Sequence, residues 1–442
     1  MNTKRIAFIV IAHKDYIDED VTACINGAVS FSELDNVELI QPPDIITDPI
    51  YAVEAGISIS SQNLDGAVIF FATWFECPIA MAIIKEISHI PLCVWGVKSF
   101  VYGDRELITG SYVSYAMFKG SLDRLNIPYT GILGQIGDAY TAGRLRAFYT
   151  AASAYKRLRR SRAGLVGYTS MSIYPGTFDH LLMCARIGPE IIHIDTYTLI
   201  RDMEKYTTDD CKPVMERLHG LARLHPCITS EQVLTVSRMY LALKNLCAEH
   251  CLDAINVKCQ YELSQSYGMT ACVPLSLLAD DNIVAACEGD TLCTVSMLML
   301  SLLGGGVPAY GDALNHFDNT VRLSPCGIMP YSLGRAGECA IDRFRHPGFS
   351  GIKNRFVMRP GKVTVMRLIE DIGGYHIIYF TGDALEESQL RDGMPSVDVR
   401  LDGSVEKFVE HYNGQHYAIC YGDLSEEIKM LADMLKINAE RM

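Results

Sequence analysis

Ala285-Ala286-Cys287-Glu288-Gly289-Asp290 ends a short apolar run on a polar break, and residues 291–303, rich in Leu, Met and Val, follow it at helical length. Gly304-Gly305-Gly306 stops the helix, and Val307-Pro308-Ala309-Tyr310-Gly311-Asp312 reads as a second strand that ends on an acid. A strand, a covering helix and a strand of these lengths make a crossover that returns the second strand parallel to the first. The unit would carry Glu288 and Asp312 to one edge of a sheet, where open α/β folds bind their ligands. Two carboxylates aimed at one point suit a hard divalent cation or a proton shuttle. Two solvated loop acids are the alternative.

The same texture extends on both sides of this stretch. Residues 5–12, 66–71, 91–96 and 130–133 are apolar runs of the kind buried on both faces of a parallel sheet, alternating with helical patterns. Residues 138–160 carry apolar positions at helical spacing and run into Lys156-Arg157-Leu158-Arg159-Arg160-Ser161-Arg162, a solvated helix end and linker. A second α/β series follows in residues 163–167, 190–194, the amphipathic stretch 230–250, 253–258 and 282–286. After Asp312 the pattern changes: residues 355–358, 362–368 and 375–380 are strand-like runs separated by Pro360-Gly361 and Gly373-Gly374, which predicts antiparallel β structure closed by a helix over 425–436.

Composition narrows the function. A chain of 442 residues with 49% hydrophobic content can bury more than one core, and its net charge of −13 argues against nucleic acid as the main partner. The 15 cysteines are odd in number and spread through apolar segments, and no secretory leader precedes the first strand, so they are expected to be reduced in a cytoplasmic protein. Cys247 and Cys251 lie one turn apart without a second pair to complete a zinc pattern, and read as helix packing. The strongest apolar stretch, 295–303, is far shorter than the roughly 20 residues a membrane span needs.

Five segments taken in order carry a more specific signal. Ile255-Asn256-Val257-Lys258-Cys259, Cys287-Glu288-Gly289-Asp290, Gly311-Asp312, Pro360-Gly361-Lys362-Val363-Thr364 and the run from Gln415-His416-Tyr417 to Gly422-Asp423 together resemble the L-fucose isomerase and L-arabinose isomerase superfamily. Weaker matches at Ala12-His13, Ala72-Thr73-Trp74, Val94-Trp95-Gly96 and Thr177-Phe178-Asp179 extend the resemblance through the chain. It implies two consecutive doubly wound parallel-sheet domains, residues 1–162 and 163–320, and a smaller antiparallel β-barrel-like domain, residues 321–442. It also implies a manganese-dependent interconversion of an aldose and its ketose. The metal ligands would be Glu288, Asp312 and His416, in a trimer or hexamer whose active site lies near a subunit interface; His13 and Trp74, at strand ends, and Lys258 and Asn315 are the candidate substrate-binding residues. A ligand set of two carboxylates and an imidazole suits Mn²⁺ or another divalent cation.

Moving a carbonyl between C1 and C2 requires loss of a carbon-bound proton and stabilisation of an enediolate, so Glu288 and Asp312 are also the expected acid–base pair. A sugar-binding regulator and a metal-dependent epimerase or aldolase are the competing readings. Many relatives carry a His where this chain reads Leu323-Ser324-Pro325-Cys326-Gly327, so one contact to metal or substrate is expected to be missing unless Asn315 or His316 replaces it. Lys258 either binds a substrate substituent or pairs with a carboxylate, and Trp74 and Trp95 either face a sugar or pack in the core. Pentoses and 6-deoxyhexoses are possible substrates, as is an anionic sugar, including a sulfonated hexose of the sulfoquinovose type, should Lys258 or Arg335 face the pocket.

Overall fold

Strand β1 (Lys4–Ile11) has six consecutive buried residues, as a strand covered on both faces requires. It lies in a five-stranded sheet with β2 (Val37–Ile40), β3 (Gly66–Phe71), β4 (Leu92–Gly96) and β5 (Thr130–Leu133), all parallel, in the order β2-β1-β3-β4-β5. That order reverses between β1 and β3, which opens a crevice at their carboxyl ends. A computed structural model of the chain describes residues 3–102, 105–304, 306–345 and 349–442, so Gly305 of the expected glycine stop lies outside the described residues. The chain divides into two compact units, Met1–Lys156 with Glu426–Lys436, and Arg157–Ser425 with Ile437–Met442. The division falls inside the basic run, two residues before the helix Ala139–Leu158 ends. Of the helix over 425–436 expected to close the β-rich segment, residues 426–436 group with the first unit.

The second unit contains a parallel sheet of β6 (Arg162–Val166), β7 (Glu190–Ile194), β8 (Ala254–Val257) and β9 (Val284–Cys287), in the order β9-β8-β6-β7. Its longest helix, α1 (Ser230–Glu249), starts on a capping box in which Thr229 and Gln232 satisfy each other's backbone. A short helix α2 (Cys272–Asp280) precedes β9, and α3 (Thr291–Gly304) follows it. Barrel strands come next: β10 (Ala309–Phe317), β11 (Thr320–Ser324), β12 (Gly361–Asp371), β13 (Gly374–Ala384), β14 (Val397–Leu401) and β15 (His416–Tyr421). They pair in the circular order β12-β15-β10-β11-β14-β13 and back to β12, a closed six-stranded antiparallel barrel, with β16 (Asn438–Arg441) added parallel to β13.

The expected crossover does not form. β10 joins no parallel sheet; both its edges are taken by antiparallel partners, β15 and β11. The reason lies in α3, which is apolar and buried around its whole circumference rather than on one stripe. It packs against β9 and β8 on one side and against β15 and β12 of the barrel on the other. Ser296 Oγ accepts from Leu368 N at 2.8 Å and fastens it to β12. A helix covered from both sides delivers the next strand into the second layer, not back into the first. Residues 355–358, predicted as a strand, form only isolated bridges at Val357 and Met358, next to a short strand Ile352–Asn354.

Candidate active site

Asp312 and His416 are register partners on the antiparallel strands β10 and β15, which brings their side chains onto one face of the barrel. Glu288 follows β9 at the carboxyl end of the parallel sheet and is held there with φ +70°, a left-handed conformation uncommon for a residue with a Cβ. His416 Nε2 lies 3.3 Å from Glu288 Oε2 and 3.3 Å from Asp312 Oδ1. One ligand atom from each of the three residues falls within 4.8 Å of the others. Although buried and flanked by both carboxylates, Nε2 makes no aligned hydrogen bond.

The other ring nitrogen explains how that lone pair is aimed. His416 Nδ1 is 2.9 Å from Asp290 Oδ2, so a proton on Nδ1 leaves Nε2 free to act as a ligand. Asp290 Oδ1 meanwhile accepts from Cys293 N at 2.8 Å and caps α3. Arg367, 1% exposed, donates Nη1 to Asp290 Oδ2 at 3.0 Å and to the His416 carbonyl at 2.7 Å, and Nη2 to the Pro175 carbonyl at 2.7 Å. Burial works against a charge on Asp290, but the guanidinium and the imidazole outweigh it and hold the carboxyl well below the ordinary range. Burial likewise opposes a charged His416, and the three surrounding carboxylates raise it well above the usual histidine value.

The turn that carries Glu288 is clamped from β8. Asn256 Oδ1 accepts from Gly289 N at 2.8 Å, and its Nδ2 donates to Thr294 Oγ1 at 2.8 Å and to the Asp290 carbonyl at 3.2 Å. Glu288 Oε1 accepts from the Cys326 thiol at 2.7 Å and from Gln260 Nε2 at 3.5 Å, leaving Oε2 turned toward His416. Cys326 thus donates from the segment in which many relatives have a His, one residue after the buried Pro325. The sequence alone points to no role for Asn256, Asp290, Cys326 or Arg367. The available signal was a polar or charged residue inside an apolar strand, as in Ala254-Ile255-Asn256-Val257 and Val365-Met366-Arg367-Leu368.

The remaining candidates are distributed differently. Lys258, one residue past the Val257–Cys287 register pair, is 1% exposed. Its ammonium pairs with Glu262 and sits over the Tyr168 ring at 4.0 Å and the Tyr261 ring at 5.0 Å. Asn315 is exposed beside a register shift in β10 and accepts from His316 N at 2.8 Å. Arg335 pairs with Glu338 and Glu386. His13 and Trp74 belong to the first unit, at the ends of β1 and β3, with ring centroids 5.6 Å apart; Tyr16 joins them at 4.8 Å from His13. Trp74 and Tyr16 line a cavity of about 500 Å³ there. Trp95 is core: fully buried among Phe8, Phe31 and Phe70, it donates Nε1 to the Gly134 carbonyl at 2.9 Å.

All 15 cysteines are free. Among the described residues no helix is long and apolar enough to cross a membrane.

No family model matches the chain. Among curated proteins it is similar to the sulfoquinovose isomerase of Alkalicoccus urumqiensis, 24% identical over 417 residues that cover 90% of each chain. The sulfoquinovose isomerase of Priestia megaterium is 24% identical over 418 residues and 92% of each chain. That of a Clostridium species is 26% identical over 379 residues, 80% of this chain and 82% of the relative. The chain is an enzyme, an isomerase.

Proposed function

We propose that the protein is a metal-dependent aldose–ketose isomerase that acts on a sulfonated monosaccharide of the sulfoquinovose type through a cis-enediol or enediolate. The observation that carries this reading is the convergence of Glu288, Asp312 and the unpartnered Nε2 of His416 within 4.8 Å, with the opposite ring nitrogen tied to Asp290. Two carboxylate oxygens and one imidazole nitrogen are a donor set suited to Mn²⁺, and the orphaned Nε2 is the kind of buried atom that a cation satisfies. A cation held by these three residues would supply Lewis-acid charge to two adjacent sugar oxygens.

The chain's own groups account for the proton transfers. One of the two carboxylates, Glu288 or Asp312, takes the proton from C2 of the aldose and the other returns a proton to C1, while the O2 proton moves to O1. Glu288 is fixed for this work by the Cys326 thiol and Gln260 on one oxygen, and by a strained backbone that the Asn256 clamp maintains. A sulfonate is accommodated by Lys258, a buried cation one residue past the register pair that precedes Glu288, whose present counter-ion, Glu262, is half exposed and displaceable. The similarity to three sulfoquinovose isomerases over most of their length supports the same substrate class. The family resemblance further suggests a homo-oligomer, a trimer or hexamer, that brings the His13–Trp74 crevice of one copy to the metal group of another; light scattering reads the mass.

The test is incubation of Mn²⁺-loaded protein in deuterated water with sulfoquinovose and with neutral pentoses and 6-deoxyhexoses. Ketose formed from the sulfonated sugar, with solvent deuterium at C1, is expected, and Glu288→Gln should keep the circular-dichroism spectrum while abolishing turnover. Formation of ketose from none of the sugars, or full activity in the Gln variant, would overturn the assignment.

A further inference from the structure

The carboxylate that faces His416 with one oxygen faces sulfur with the other. Cys326 Sγ is 2.7 Å from Glu288 Oε1, and one oxygen of Glu288 and the sulfurs of Cys287 and Cys326 all lie within 4.8 Å of one another. Cys287 is buried at the end of β9, where its Sγ is also 2.7 Å from Tyr310 Oη. Cys326 is partly exposed, which gives the cluster an entrance. Cys259 and Cys272 are further buried free thiols of the same unit. The proposed isomerase reaction uses Cys326 only as a hydrogen-bond donor that positions Glu288, and makes no use of the other sulfurs.

We infer that Cys287, Cys326 and Glu288 form a second cation site, for a soft divalent ion such as Zn²⁺ or Cd²⁺, that shares Glu288 with the hard carboxylate–imidazole group. Two thiolates and one carboxylate oxygen make three of the four positions of a tetrahedral zinc-type site and leave the fourth open. Soft sulfur selects these ions, and for a given set of ligands the divalent series runs from Mn²⁺ at the weak end toward Cu²⁺ and Zn²⁺. Uptake releases the thiol protons, so it strengthens as pH rises. The two sites therefore compete for one carboxylate. A soft ion draws Glu288 toward sulfur and away from His416, a consequence that rests on the isomerase reading.

The experiment is titration of the full chain with Cd²⁺, reading thiolate-to-cadmium charge-transfer absorption in the ultraviolet. The wild-type protein should develop the band with one equivalent. Cys326→Ser should raise the half-saturating Cd²⁺ by more than the roughly tenfold that loss of an outer-sphere partner causes. Cys227→Ser is the control, because Cys227 belongs to a separate His225–Cys227–Asp342 group and its loss should leave the band unchanged. Mass mapping of the wild-type chain removes any dependence on how a variant folds: Cd²⁺ should protect Cys326 from alkylation by N-ethylmaleimide. A band that disappears in Cys227→Ser and survives in Cys326→Ser, or a Cys326 that alkylates equally with and without Cd²⁺, would overturn the site. The band reads ligation and not turnover, so a band that forms without slowing the Mn²⁺-loaded enzyme supports the sulfur site and counts against Glu288 as the base.

Discussion

Asp290 shows how much one side chain can settle. One of its oxygens caps α3, and the other orients His416 and neutralises Arg367. Asp290→Asn keeps the shape and the cap but removes the charge that fixes the imidazole tautomer, so Mn²⁺ affinity should fall roughly 10- to 100-fold in a direct binding titration. Arg367→Met leaves Asp290 buried without its strongest partner, and urea denaturation should show a loss of about 3–5 kcal/mol. The sequence displayed both residues without revealing their partnership. Asp290 reads as an ordinary helix cap and Arg367 as a charge interrupting a strand, and their link is a contact between segments 77 residues apart. Glu288, Asp312 and His416 were legible as residue types that suit a cation, the first two from the pattern around them and the third only through the family resemblance. For Lys258 the sequence left two alternatives, a substrate group or a carboxylate partner, and the structure gives it Glu262.

At the scale of elements, two glycines separate backbone demand from backbone permission. Gly414 has φ +78°, and a Cβ there would stand 2.7 Å from the Arg367 guanidinium, which three other partners already hold in place. Gly414→Ala should therefore cost more than the roughly 1–2 kcal/mol of left-handed backbone alone, read by chemical denaturation. Gly120, exposed within the helix Ser111–Leu125, has nothing within 4 Å of the point a methyl group would occupy, and Gly120→Ala should stabilise by about 0.5–1 kcal/mol. The junction of α1 and α2 carries a pH dependence. Asp281 accepts from Tyr240 at 2.5 Å, Lys244 at 2.8 Å and Arg217 at 2.9 Å, and these partners lower its pKa against the opposing effect of burial. A depressed carboxylate contributes stability above its unfolded value, near 3.9, and loses it as pH falls below that. The thermal stability gap between wild type and Asp281→Asn should thus be open at pH 7 and narrow progressively as pH falls below about 4. Most element positions were readable from periodicity, β3, β5 and β7 to the residue. The partner of β10 was not, because a short apolar run looks the same whether its neighbours are parallel or antiparallel.

For the molecule as a whole, binding of a cation to the folded chain and not to the unfolded one adds stability by mass action. Mn²⁺ at a hundredfold excess over its dissociation constant should add about 2.7 kcal/mol, reversed by chelation. Hydrogen exchange should slow mainly in residues 284–294, 309–317 and 416–421, which carry the three converging side chains and α3's first turn. Protection confined to the first unit would exclude the Glu288 group as the binding site. The sequence by itself determined the parallel layers, because runs apolar on both faces have no other stable environment, and the change to antiparallel strands after Asp312, because turn residues recur between them. It also determined the chemical character of the site, through the carboxylates, the imidazole and the thiols it supplies. The tertiary structure alone decided which of these meet. Barrel closure sets Asp312 opposite His416, a helix buried from both sides carries β10 out of the parallel sheet, and Cys326 arrives beside Glu288. Each depends on pairing between distant segments, and side-chain packing over such separations leaves no local pattern in the letters.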